Sequence, residues 1–227
     1  MFLTVDNKIK WRKLQIASVV VATLVVCGVC WFDKPVYMFL RQFNCRLWSV
    51  FDLVFAGEVW IIAAGVAFLI FCIKKYAKSG ICFKNEKNRV SLRVLLRDFF
   101  VKTRGSNAFL IFCSVLVSGG LVKVLKTFIG RARPVFFEAL DMTGFFPPSL
   151  DWAFNSMPSG HTAISFAGLV MIGMLAPKYK IVTWTLAIMI GVSRIALGAH
   201  WPTDVILGAF IGMVVADFVK WRMLSDR

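Results

Sequence analysis

Six runs of apolar residues, each close to the length of a membrane-spanning helix, constrain this chain more than any other feature of its sequence. A bilayer core of ~30 Å requires about 20 apolar residues in a helix. Hydrophobic residues make up 59% of the 227 residues and charged residues only 17%, against roughly a quarter charged in soluble domains. The sequence therefore predicts an all-α fold, a single membrane domain of six transmembrane helices over residues 1–227. The runs lie at 14–32, 55–73, 108–129, 160–176, 181–197 and 202–219.

The first run has two interpretations, a cleavable signal peptide or a retained span. It follows a basic stretch at 8–13 and continues for about 19 residues. Signal peptides usually have a shorter apolar region and a small-residue cleavage site, which this segment lacks. We therefore expect a retained first span.

The placement of Lys and Arg predicts the orientation of the bundle. With six spans, both termini share one side of the membrane with the segments 74–107 and 177–180, and this side carries 19 of the 27 basic residues. An excess of Lys and Arg marks cytoplasmic loops, so we expect both termini and the basic loop 74–107 in the cytoplasm. The short loops favour a bacterial inner membrane. The net charge of +15 is then mostly an orientation signal, and no motif supports nucleic-acid binding.

Two large loops lie on the opposite, periplasmic side in this topology. The loop 33–54 carries only three basic residues, Lys34, Arg41 and Arg46, whereas the loop 130–159 is rich in aromatic residues and prolines. Aromatic side chains usually anchor at the headgroup level of a membrane. The loop 130–159 is therefore either an interfacial belt or the wall of a lipid-binding site.

Ionisable residues near membrane depth are energetically costly and usually functional. In the predicted topology, such residues fall at four helix ends on one membrane face, and both histidines of the chain are among them. A single residue of this kind would be an anchor, but four converging ends indicate a site. The residues are Lys126, Arg133, His161, Arg194, His200 and Asp204.

The chemistry indicated is phosphoryl transfer. Lys126, Arg133 and Arg194 are fixed cations that can surround a phosphate. Ser159 offers a hydroxyl and a helix cap, and Gly160 allows close backbone approach at a helix start that favours anions. These residues are therefore candidate phosphate ligands.

The two histidines indicate a phosphohistidine route, in which one imidazole attacks and a second group protonates the leaving oxygen. Asp204 follows His200 by four residues, so its carboxylate can fix the imidazole tautomer, and His161 is free to act as the acid. We expect no metal or other cofactor. Asp141 and Asp151 are the only nearby acidic candidates for a metal site, and the Cys27-x-x-Cys30 pair lacks further ligands.

Three motifs in order resemble the signature of the type 2 phosphatidic acid phosphatase (PAP2) superfamily. They are Lys126-x6-Arg133-Pro134, Pro158-Ser159-Gly160-His161 and Ser193-Arg194-x5-His200-x3-Asp204. The resemblance implies a metal-independent lipid phosphatase with His200 as nucleophile, Asp204 as its orienting partner and His161 as acid. It also implies that Lys126, Arg133, Ser159, Gly160 and Arg194 hold the phosphate. Arg131 would be a secondary headgroup contact. Lys123, one turn before Lys126, either extends towards the membrane surface or aids the site, and we favour the first interpretation.

Other functions and the substrate stay open at this stage. A transporter would place ionisable residues at the bilayer middle, and a non-catalytic lipid-phosphate binding protein would not need both histidines. The expected partners are a lipid phosphate and membrane lipids, and the oligomeric state is undetermined. Gly208 and Gly212 form a G-x-x-x-G pattern that permits close helix contact, within the chain or between chains. Substrate candidates are undecaprenyl diphosphate, phosphatidylglycerol phosphate, phosphatidate and the phosphates of lipid A.

Overall fold

The computed structural model describes residues 1–4, 6–78 and 92–224, and α-helices form most of it. A π-helical turn, Gly28–Phe32, joins the first two helices without a break. The predicted all-α membrane bundle is confirmed. The helices are α1 (Trp11–Cys27), α2 (Asp33–Arg41), α3 (Arg46–Val54), α4 (Gly57–Lys78), α5 (Leu92–Thr103), α6 (Asn107–Ile129), α7 (Pro134–Leu140), α8 (Gly160–Leu175), α9 (Lys180–Ala196) and α10 (Pro202–Leu224).

Within the described residues, five continuous helical segments are long and apolar enough to cross a membrane. The predicted span at 160–176 is the exception, because α8 is apolar but only 16 residues long. Its position explains its composition, since α8 packs against α6, α9 and α10 and every residue from Thr162 to Met171 is buried. This helix is the centre of the bundle, so its sequence has no lipid-facing side.

Glycines set the closest helix contact in the bundle. A Cβ atom on Gly208 would lie 2.6 Å from the Ser159 carbonyl oxygen, and one on Gly212 would lie 2.4 Å from that of Ala163. These distances are shorter than real Cβ contacts, so only glycine permits this approach. The G-x-x-x-G pattern therefore mediates a contact within the chain, between α10 and α8.

The prediction of a loop at 33–54 is wrong, because most of this segment is helical. The first span continues through the π-turn into α2, and α3 precedes α4. The reason lies in the side chains: Asp33 and Tyr37, four residues apart, are both buried, so α2 turns a polar face towards the protein. Polar residues on a protein-facing side interrupt an apolar run without ending a helix.

The segment 74–107, predicted to be a loop, is also helical in part. The helix α4 extends to Lys78, and α5 covers Leu92–Thr103. Residues 79–91 of this segment, which include Cys82 and several of its basic residues, lie outside the described residues, as does Arg227. The predicted cytoplasmic side of this segment stays a prediction.

The first residues of the chain pack against the far end of α10. The amino group of Met1 lies 3.2 Å from Asp217, and the Phe2 amide donates to the same carboxylate at 2.7 Å. Asp217 is buried. The buried carboxylate of Asp217 therefore has its hydrogen-bond partners at the end of α10 that is opposite to Asp204.

Candidate active site

Four helix ends meet at one end of the bundle, which we call the site end. They are the C-terminal ends of α6 and α9 and the N-terminal ends of α8 and α10. The Ser159 amide donates to the Asp204 carbonyl oxygen at 2.9 Å and joins the starts of α8 and α10. The structure thus brings together the sets of residues that the sequence singled out at these ends.

His200 and Asp204 form a buried pair at the start of α10. The Nδ1 atom of His200 lies 3.6 Å from Oδ2 of Asp204 and 3.5 Å from Oγ of Ser156. Asp204 also accepts hydrogen bonds from the Ser156 hydroxyl and, at 2.9 Å, from the Trp201 amide. The carboxylate is therefore fixed on the Nδ1 side of the imidazole, which directs Nε2 away from Asp204.

Burial sets the protonation state of His200. Its side chain is 2% exposed, and this desolvation lowers its pKa well below the usual value. Asp204 opposes the shift, whereas the positive charges of Lys126, Arg194 and Arg133 lower the pKa further. The imidazole is neutral near pH 7 and can act as a nucleophile.

Lys126 lies at the end of α6 and contacts the segment that precedes α8. Its Nζ atom donates to the carbonyl oxygens of Asn155 at 2.5 Å and Ser156 at 3.3 Å. A Cβ atom on Gly160 would lie 3.8 Å from the Lys126 side chain, so the lysine passes beside the start of α8. The ammonium group is thereby held close to the backbone of the predicted phosphate-binding motif.

Arg133, just before α7, is held by backbone carbonyl groups and by an aromatic ring. Its guanidinium donates to Trp152 O at 2.9 Å, Ala199 O at 3.3 Å and Asn155 O at 3.4 Å. Its Cζ atom lies 4.3 Å from the centre of the Trp152 ring, a cation–π distance. Burial, with a further contribution from Arg194, lowers the pKa of Arg133 to about 10, so the residue stays positively charged near pH 7.

Arg194 is shared between an acidic residue and the interior of the site. One terminal nitrogen pairs with Asp52 of α3. Its Nε atom is buried and has no hydrogen-bond partner among the described residues. An unpartnered guanidinium N–H in a cationic pocket is a ready donor for an anion.

His161, in the first turn of α8, is more exposed than His200. Its side chain is 24% exposed, and Nε2 lies 3.9 Å from the Asp52 carboxylate. The imidazole therefore lies at the partly exposed mouth of the site. Asp52 contacts both His161 and Arg194 and so belongs to the site.

Ser159 does not cap α8 through its side chain, contrary to the expectation from the sequence. Its Oγ atom instead accepts a hydrogen bond from Thr162 at 2.9 Å. Because this bond uses only a lone pair, the hydroxyl proton remains to donate to a phosphate oxygen. The residue keeps its place in the site with a different local role.

Arg131 is a second correction, because it is not a headgroup contact. It is only 5% exposed, and its guanidinium lies between two carboxylates, Asp33 at 2.6 Å and Asp204 at 2.7 Å. Lys123, in contrast, is exposed on α6. The turn after α6 buries both Arg131 and Arg133, and sequence spacing could not show which partners each of them would meet.

The segment 130–159 contributes a wall of the site as well as exposed aromatic surface. Its carbonyl groups at 152, 155 and 156 accept from Lys126 and Arg133. Phe145 and Phe146 are each 45% exposed, and Trp152 is 60% exposed while its ring covers Arg133. Both interpretations of this segment stay predictions.

Three site residues were missed by sequence reasoning: Asp33, Asp52 and Ser156. Asp33 directly follows one apolar run and Asp52 directly precedes another, so the rule on ionisable residues at membrane depth could have identified both. Ser156 carries no comparable signal. Among the described residues, no group of three or more His, Cys, Asp or Glu side chains is placed to bind a metal, and Asp151 caps a short 3₁₀ turn instead.

Comparison with known proteins identifies the family of the C-terminal half. The model of the PAP2 superfamily matches residues 107–226. Lipid A 1-phosphatase of Rhizobium etli is 41% identical over 102 residues, which cover 45% of this chain and 44% of that protein. Lipid A 1-phosphatase of Porphyromonas gingivalis is 37% identical over 112 residues, which cover 48% of this chain and 21% of that protein.

The chain thus spans less than half the length of these two relatives. One solved structure, the crystal structure of Aquifex aeolicus LpxE, aligns with 82% of this chain and 93% of its own chain, at a TM-score of 0.49 and 21% identity.

Proposed function

The chain belongs to the PAP2 superfamily, and we propose that it is a membrane-embedded phosphatase that hydrolyses the phosphate ester or anhydride of a lipid. The observation that carries this proposal is the buried His200–Asp204 pair, on whose imidazole three cations act. A neutral imidazole supported by a carboxylate in a positively charged pocket suits attack on a phosphate.

His200 is the proposed nucleophile, through Nε2. Attack forms an N–P bond and breaks the bond between phosphorus and the lipid oxygen. Asp204 stabilises the positive charge that develops on the imidazole as the bond forms. His161, at the mouth of the site, donates a proton to the departing lipid oxygen.

A water molecule completes the reaction. His161, now neutral, takes a proton from this water, whose oxygen attacks phosphorus and breaks the N–P bond. Inorganic phosphate leaves, and both histidines return to their starting protonation states. In both steps Lys126, Arg133 and Arg194 stabilise the charge on the equatorial phosphate oxygens. Ser159 and the backbone at Gly160 donate to the same group.

A lipid substrate fits the position of the site. The catalytic groups lie at the end of a bundle of apolar helices, beside the exposed rings of Phe146 and Trp152. Because two relatives are named lipid A 1-phosphatase, the 1-phosphate of lipid A is the first substrate to test. Undecaprenyl diphosphate, phosphatidylglycerol phosphate and phosphatidate complete the panel.

We also propose that the site faces the outer side of a bacterial inner membrane, with both termini in the cytoplasm. This orientation rests on the excess of Lys and Arg on the opposite side. A reporter fused after Arg227 tests it: an active cytoplasmic reporter is expected, and activity of a periplasmic reporter would invert the topology.

The proposed activity is tested by phosphate release from each lipid of the panel, with purified protein in detergent and EDTA present. We expect release from at least one lipid and its loss in His200→Ala. Folding is checked by size-exclusion chromatography and thermal unfolding. Full activity of a folded His200→Ala protein would refute the role of His200.

A further inference from the structure

A guanidinium links the N-terminal helices to the catalytic carboxylate. Arg131 Nη2 donates to Asp33 Oδ2 at 2.6 Å, and Nη1 donates to Asp204 Oδ1 at 2.7 Å. Asp33, Arg131 and Asp204 are 2%, 5% and 0% exposed. The charged groups therefore form a continuous buried chain that begins on α2 and ends at His200.

Asp33 also accepts hydrogen bonds from the first turn of α10. Its Oδ1 atom accepts the backbone N–H of Thr203 at 2.9 Å, and its Oδ2 atom accepts the Thr203 hydroxyl at 2.6 Å. Thr203 lies in the first turn of α10, where N–H groups lack partners within the helix. The carboxylate acts as a cap supplied by another helix, and its negative charge is favoured at this helix end.

The geometry of Arg131 determines which oxygen of Asp204 is available. Because Arg131 binds Oδ1, the carboxylate is oriented with Oδ2 towards His200. The guanidinium also lies near the rings of Trp201 and Phe145, whose centres are 5.4 and 5.5 Å from its Cζ atom. A planar, two-sided donor of this kind fixes an orientation that a single ammonium group cannot fix.

Stability alone is a poor explanation for such a chain. Buried ion pairs repay their desolvation only partly, and apolar replacements of similar volume are often as stable. A second ion pair joins the same two parts of the molecule, since Arg41 of α2 donates to Glu138 of α7 at 2.9 Å. That pair is about one-third exposed and supplies a tether without contact to Asp204.

We propose that Asp33 and Arg131 are positioning residues for the phosphatase reaction: Arg131 orients Asp204, and through it His200, and Asp33 holds Arg131 from α2, outside the segment matched by the family model. The inference rests on the proposed function. It predicts that the N-terminal helices contribute to the chemical step in addition to anchoring the chain in the membrane.

The test compares Arg131→Met and Asp33→Asn with the control Glu138→Gln, which weakens the contacts of Glu138 with Arg41 and with the Tyr37 hydroxyl and leaves those of Asp204 in place. We expect kcat to fall ~10²-fold in Arg131→Met and about 10-fold in Asp33→Asn, because small displacements of catalytic groups reduce rates on this scale. The KM for the lipid should stay within about two-fold, since neither residue touches the phosphate. Glu138→Gln should keep both constants.

Two further variants separate positioning from folding. Arg131→Lys retains a buried positive charge but only one donor group, so we expect a kcat between wild type and Arg131→Met. The double variant Asp33→Asn/Arg131→Met should be no slower than Arg131→Met alone, because the residues act as one unit. A kcat of at least half the wild-type value in folded Arg131→Met or Arg131→Lys would overturn the inference, as would fully additive losses.

His200→Ala, measured in parallel, keeps the two proposals distinguishable. If His200→Ala is inactive while the Arg131 variants are fully active, the positioning role fails and the proposed function stands. If folded His200→Ala is as active as wild type, the proposed reaction itself fails.

Discussion

Replacement of Asp204 by Asn is the most direct test of the proposed reaction. The substitution keeps the shape of the side chain and removes its charge. In the first step His200 gains a positive charge 3.6 Å from Asp204 Oδ2. At an effective dielectric constant of about 20, a pair at this distance is worth about 4–5 kcal/mol. We therefore expect kcat to fall ~10³-fold in Asp204→Asn.

The assay is phosphate release from the preferred lipid in detergent, with substrate saturation curves that separate kcat from KM. Asp217→Asn is the matched control. Asp217 is a second buried carboxylate of α10, and its partners are the amino group of Met1 and the Phe2 amide at the opposite end of the helix. A loss specific to Asp204→Asn would therefore report chemistry rather than the loss of a buried charge.

Two results would refute this reasoning. The first is a folded Asp204→Asn protein that keeps more than about one-tenth of the wild-type kcat, since the Coulomb estimate requires a much larger loss. The second is an equal loss in Asp217→Asn, which would show that both carboxylates act through the stability of the helix. Thermal unfolding of all three proteins in the same detergent supports the comparison.

Three further predictions concern protonation, anion binding and packing. The chain has two histidines, so in His161→Gln the ¹⁵N NMR signals of imidazole report His200 alone. Because burial lowers the pKa of His200, we expect a neutral ring at pH 6.5 and protonation only at lower pH. The unfolded chain binds this proton first, so stability should fall as the pH drops below the usual histidine pKa towards that of the folded protein. Titration at or above pH 6.5 would contradict this. Asp52→Asn frees Arg194 from a partly exposed ion pair, so inorganic phosphate should inhibit the phosphatase reaction roughly 2–5-fold more strongly. Unchanged or weaker inhibition would argue against competition between Asp52 and phosphate for Arg194. Gly212→Ala places a Cβ atom 2.4 Å from the Ala163 carbonyl oxygen and should lower the free energy of unfolding by about 1–3 kcal/mol. The control Gly120→Ala, with no atom within 4 Å of the new Cβ, should not lower it. Equal thermal stability of the two variants would be inconsistent with the contact between α10 and α8.

The site was predictable from the sequence where function depends on residue type and position relative to the spans. Two histidines and several cations at four helix ends identified the ends that meet, and the motifs resembled those of the family. What the sequence could not give is which polar groups pair across distant segments. Asp33 and Arg131 are 98 positions apart, and Asp52 and Arg194 are 142 apart, so no periodicity relates them.

The errors have similar causes. Arg131 lies two residues before Arg133, and only the path of the chain after α6 decides that one is enclosed by carboxylates while the other enters the cation-rich pocket. The expected loop 33–54 is helical because α2 exposes its polar side to other helices instead of water. Hydropathy identifies lipid-facing surface well, but it does not detect a helix whose polar side is buried in protein.

The glycine contact between α10 and α8 bears on quaternary structure. A backbone surface that already lies against one helix cannot also receive a second copy of the chain. Any self-association of this protein must therefore use another face, and α1, with large apolar side chains such as Val19 and Val26 about two-thirds exposed, offers one that the glycine motif would never indicate. The motif most often associated with transmembrane dimers is here a determinant of the monomer's own fold.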